Sequence, residues 1–105
     1  NKISNFDHKR PYTTFDHIMQ DYNLNIGEGD QTHVDEVLKL HDINLDFEIN
    51  SYEQLKELCL DNLNTRSIHH HVFSRELIYR MIDYCGLKII YFKEMPSDFY
   101  IYLEK

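Results

Sequence analysis

Phe15, Ile18, Met19 and Tyr22 recur at the spacing of one helix face, which predicts a helix starting near Thr13 or Thr14. Thr13 followed by Asp16 resembles a capping pair. Gly27, Gly29 and Asp30 punctuate a loop from Asn23 to Gln31. A second helix is expected from Thr32, which can cap it, with Asp35 in its first turn and Val34, Val37, Leu38 and His41 on one face. Ile43, Leu45, Phe47 and Ile49 then alternate with Asn44, Asp46 and Glu48, a period of two that predicts a strand over 43–49. Ser51 and Gln54 form a capping box for a third helix, lined inside by Tyr52, Leu55, Leu58 and Cys59 and ended by Asn62 to Arg66. Residues 1–13 and 68–73 read as irregular or extended. Ser74 caps a last helix, Arg75–Cys85, striped by Leu77, Ile78, Met81, Ile82 and Cys85. Gly86 stands where a helix commonly ends in a left-handed residue. Strands at 87–92 and 99–103, joined by a turn at Met95-Pro96-Ser97-Asp98, complete the chain as an antiparallel hairpin.

Ile89-Ile90-Tyr91-Phe92 is an unbroken apolar run, the pattern of a strand buried on both faces. An isolated two-stranded hairpin is marginal in water. The hairpin therefore needs more sheet: the strand at 43–49, a second copy, or a larger sheet outside this sequence. Asn1-Lys2-Ile3-Ser4 carries no initiator Met and reads as the start of a piece of a longer chain. No internal repeat, low-complexity tract or linker is visible.

The 105 residues suffice for one domain, and 42% hydrophobic content suits a globular chain. Eleven basic against 18 acidic residues give a net charge of −7. His8-Lys9-Arg10 is the nearest approach to a basic cluster, so neither nucleic-acid nor membrane-surface binding is expected. No apolar run nears the roughly 20 residues of a membrane helix, and no signal peptide is seen. Cys59 and Cys85 fall on helical apolar positions and read as buried free thiols, which fits a reducing cytoplasm; a disulfide between them stays open.

Histidine supplies the first candidate chemistry. Alternate residues of an extended chain point the same way, so only His69 and His71 of His69-His70-His71 can converge. No Cys, Asp or Glu stands at a recognisable ligand spacing from them, and no metal site is expected. His8 and His17 are further candidates. His17 beside Asp16 could serve as a general base or be a surface histidine. Asp7 and Arg10 suit an exposed local ion pair of small value, or Arg10 a carboxylate or phosphate clamp. Gly27-Glu28-Gly29 follows no apolar strand and reads as a turn, so no glycine-rich nucleotide loop is present. Nucleophile-elbow, paired-cysteine and zincin motifs are also missing.

Phe6-Asp7-His8-Lys9-Arg10-Pro11-Tyr12-Thr13-Thr14-Phe15-Asp16-His17 resembles the F-D-x-x-R-P-x-T-x-x-x-H stretch of a bacterial branch of class I S-adenosylmethionine-dependent methyltransferases. His69-His70-His71-Val72-Phe73 resembles the H-x-H-V-[FW] stretch that follows it there. The closing helix, Gly86 and hairpin resemble the end of that fold. The resemblance implies an α+β chain of about four helices and a C-terminal antiparallel hairpin, the later part of the methyltransferase fold without its cofactor-binding half. Residues 1–66 would be a helical insertion-like region and 67–105 the last helix and hairpin, within one domain or partial domain. The parent would use S-adenosylmethionine; this chain would hold none alone and would not be catalytic alone. Asp7, Arg10, His17, His69 and His71 would line the acceptor side. A small molecule or saccharide is the acceptor class implied, with the cofactor part, another protein chain or a second copy as partner. The competing expectations are a small acidic protein-interaction module without catalysis and a metal-binding module built on His69 and His71.

Overall fold

Local caps place most of the helices. The computed structural model describes residues 5–105; the four residues of the sequence start lie outside them. Helix α1 spans Phe15–Asn23 and begins at Thr14, whose hydroxyl accepts the His17 amide. Thr13 has another task, accepting the Val72 amide at 2.9 Å, so the cap falls one residue later than the expected pair. Helix α2 spans Val34–Leu40. The Thr32 hydroxyl donates to Asp30 instead of capping it, at 2.6 Å, and the helix starts two residues on. Helix α3, Tyr52–Leu60, is capped as expected by Ser51, which accepts the Gln54 amide at 3.1 Å. A four-residue helix α4, Asn62–Thr65, follows and ends at Arg66 in the left-handed region. Helix α5, Arg75–Tyr84, is capped by Ser74. Gly86 then reverses the chain at φ 69°, a conformation that favours glycine.

The expected strand at 43–49 does not form. Residues Ile43–Leu45 make one 3-10 turn. The polar residues of the alternating pattern are the cause. Asp42 accepts the Asn44 amide, and Asp46 accepts the Glu48 amide at 3.0 Å, so the side chains bend the backbone. Ile49 enters the core while Phe47 is 96% exposed.

Strands β1 (Lys88–Glu94) and β2 (Phe99–Glu104) pair antiparallel, with Phe92 opposite Ile101 and an irregularity between Ile89 and Tyr91. The class is α+β: five helices and a two-stranded C-terminal hairpin among the described residues. Among those residues no helix is long and apolar enough to cross a membrane.

Two small apolar cores result. Val34, Val37, Ile49, Leu55, Cys59 and Ile68 join α2 and α3, while Leu77 and Ile82 are buried on α5. α1 packs on α5, which packs on β1. None of the α1 stripe is fully buried, and Tyr22 is exposed. Burial pushes the Cys59 thiol up, with the Arg10 charge opposing it. Cys85, expected to be buried, is exposed at the cap where the chain leaves α5.

The hairpin is open on one side. Tyr79 of α5 packs against Phe92 with tilted rings, their centres 4.9 Å apart. Ile90, Tyr91, Tyr100, Tyr102 and Leu103 are exposed, so the apolar run is not buried on both faces within this chain. The radius of gyration is 15.1 Å, against about 13 Å for a compact domain of this length. The accessible surface is 7623 Å², against roughly 6300 Å² for a folded monomer of this mass. Both measures describe a fold less compact than a typical domain of this size.

Candidate functional site

Arg10 organises the centre of the molecule. Its Nε donates to Glu36 Oε1 of α2 at 2.8 Å. Its Nη1 donates to Asp7 Oδ1 at 3.2 Å and to the His69 carbonyl at 2.7 Å, and Nη2 donates to the His70 carbonyl at 3.4 Å. The guanidinium thus binds the chain lead-in, α2 and the histidine triplet together. It is 1% exposed and Asp7 is 5% exposed. The expected surface pair is therefore a buried one. Low water access makes its hydrogen bonds matter far more than those of an exposed pair.

The second histidine stretch closes the joint. The Thr13 amide donates to the Val72 carbonyl at 2.9 Å, while the Val72 amide donates to the Thr13 hydroxyl. His69 Nδ1 lies 2.7 Å from Asp7 Oδ2, and its ring stacks on Phe6. Burial by itself would raise the Asp7 carboxyl; the His69 hydrogen bond and the Arg10 charge outweigh it and hold the group below its ordinary value. His8 does the same for Asp42, which its hydrogen bond, helped by Lys9, pulls down to about 2.

The triplet does not behave as an alternating strand. His69 turns to Asp7, whereas His70 and His71 both turn towards His33. The reason is backbone anchoring: Arg10 takes the carbonyls of His69 and His70, and the Asn62 side chain accepts the Ile68 amide, so this segment is irregular. Asn62, itself buried, also holds His70 Nε2 at 3.1 Å and donates to the Glu28 carbonyl.

His71 meets three residues that lie far from it in sequence. Its Nε2 is 2.7 Å from Asp21 Oδ2. His17 Nε2 is 3.3 Å from the same oxygen and 3.2 Å from His33 Nε2. One donor atom from each of His17, Asp21, His33 and His71 lies within 4.8 Å of all the others. His17 and Asp21 are one turn apart on α1 and so share a face. His33 stands at the start of α2 and makes no side-chain capping bond. Burial pushes the His33 imidazole down, and the neighbouring His17 and His71 push it further, which favours the neutral ring.

A cleft of about 660 Å³ lies beside this cluster. Asp7, Tyr12, His69, His70, His71 and Phe73 form one wall, and the hairpin turn from Glu94 to Phe99 forms the other. Its size and mixed lining suit a small organic ligand. Of the five acceptor-side candidates, Asp7, His69 and His71 line the cleft; Arg10 lies buried behind it and His17 stands in the cluster.

Comparison of the chain with family models, with curated proteins and with solved structures finds no match. Asp21, His33, Glu36 and Asn62 are the residues that the sequence did not single out. The four-residue interval from His17 to Asp21 was the visible signal for one of them; nothing in the local sequence around His33 pointed to a shared site.

Proposed function

We propose that this chain is the acceptor-side, C-terminal part of a class I S-adenosylmethionine-dependent methyltransferase, and that it is not catalytic alone. The observation that carries the reading is the cleft. Its walls come from both resembling stretches and from the hairpin that follows α5. Residues 62 positions apart, Asp7 and His69, are hydrogen-bonded at its rim.

The chemistry asked of such a part is modest. Methyl transfer from a sulfonium is an in-line displacement, so holding the acceptor in line is the main contribution. His69, paired with Asp7, is placed to take a proton from an acceptor hydroxyl or amine in the cleft. The polar rim suits a small molecule or a saccharide. S-adenosylmethionine would be held by the partner part, since this chain has only Gly27, Gly29 and Gly86 and no glycine-rich loop.

The open hairpin supports the same reading. Tyr91 and Tyr102 lie with ring centres 5.7 Å apart on an outer face that includes exposed Tyr100. We take that face to be covered by a helix of the cofactor-binding part, whose remaining sheet pairs with a free edge of the hairpin. Amide hydrogen exchange tests this. Hairpin amides outside the β1–β2 pairing should gain protection in a protein that carries both parts, compared with this chain alone. Equal exchange in both would remove the shared sheet.

A further inference from the structure

The cluster of His17, Asp21, His33 and His71 is the strongest unassigned feature of the molecule. Three imidazole nitrogens and one carboxylate oxygen lie within 4.8 Å of one another. Magnesium and calcium prefer all-oxygen shells, whereas this nitrogen-rich set belongs to zinc and its first-row neighbours.

The spacing agrees with the donor types. A tetrahedral zinc with bonds of about 2.0–2.1 Å has its ligand atoms about 3.3 Å apart. His17 Nε2 is 3.2 Å from His33 Nε2 and 3.3 Å from Asp21 Oδ2. The His71–Asp21 distance is shorter, at 2.7 Å, and no pair exceeds 4.8 Å. All four residues are partly buried, so none is locked in a close-packed core.

Two imidazole Nε2 atoms at 3.2 Å require a shared proton or a cation between them, since two facing lone pairs repel. Without an ion, a single proton on His17 Nε2 must serve His33 or Asp21, while His71 donates to Asp21. A divalent ion satisfies all four atoms at once. Around the cluster, the Phe73 ring stands edge-on to His71 at 6.3 Å, and His70, held by Asn62, lies beside His33.

We propose that His17, Asp21, His33 and His71 bind one divalent transition-metal ion, with zinc the best match. Such an ion clamps α1, which lies on α5, to the start of α2, which belongs to the other core. It also sits one side chain from the cleft, because His71 lines both. This inference goes beyond the methyltransferase reading and stands without it.

Equilibrium dialysis of the chelator-stripped full chain against zinc chloride, read by elemental analysis, is the test. About one zinc per chain should be retained, with a rise in melting temperature. Asp21→Asn and His33→Gln should each weaken binding by about 100-fold or more, since losing an outer-shell partner alone costs about 10–100-fold. His8→Gln, whose ring pairs with Asp42 away from the cluster, should bind like the parent. The cobalt form of the unmodified chain gives a second readout that needs no variant: intense visible bands mark a four-coordinate nitrogen and oxygen site. Well under one zinc per chain, or unchanged binding in both cluster variants, overturns the proposal and leaves a proton-sharing histidine network.

Discussion

Arg10→Met should destabilise the chain by about 3–5 kcal/mol, the cost of breaking a buried ion pair from one side. The side-chain volume is roughly kept, so the loss comes from the partners left behind. Asp7 would stay buried and lose its main positive neighbour. The carbonyls of His69 and His70 would lose their donors. Glu36, which is partly exposed, can turn to water and adds less. A loss of this size is a large share of the 5–15 kcal/mol that holds a typical domain. Arg10→Lys should fall between, because an ammonium keeps the charge but cannot span a fork of four acceptors. Urea titration followed by circular dichroism reads both changes. A loss below about 1 kcal/mol in the Met variant would mean that the joint behaves like a surface pair.

Leu55→Ala should cost about 2–5 kcal/mol. Leu55 is 1% exposed and sits among Val34, Val37, Ile49, Cys59 and Ile68. The core there is small and drawn from four segments, so few neighbours can move in to close the cavity. The same titration measures it. Leu60→Ala, on the exposed side of α3, should change stability by about 0.5 kcal/mol or less and is the matched comparison. Equal effects at the two positions would contradict the placement of α3.

The caps at Ser51 and Ser74 were readable because each depends on residues three apart, whereas those expected at Thr13 and Thr32 moved to Thr14 and His33. Thr14, Ser51 and Ser74 all accept an amide three residues on, and Gly86 adopts the left-handed turn expected of it. The failure at 43–49 has a local cause with a lesson: an alternating pattern whose polar members are Asp and Asn can also be a series of turns. Asp42 and Asp46 made it so. The pairing of Asp7 with Arg10 was readable, but its burial was not. Burial is decided by Glu36 and the histidine carbonyls, which arrive from residues 26 to 60 positions away. The histidine cluster was hidden for the same reason. His17 and His71 were visible as chemistry, yet His33 comes from another helix and the triplet breaks its alternation to reach it.

The central proposal is that this chain completes a methyltransferase whose cofactor site lies on another part. Calorimetric titration of S-adenosylhomocysteine tests it most directly, run on this chain and on a protein that joins it to the proposed cofactor-binding part. The account predicts binding by the joined protein and none by this chain alone. Absence of binding by both, with each shown to be folded, would contradict it and favour an acidic interaction module built on the same surfaces.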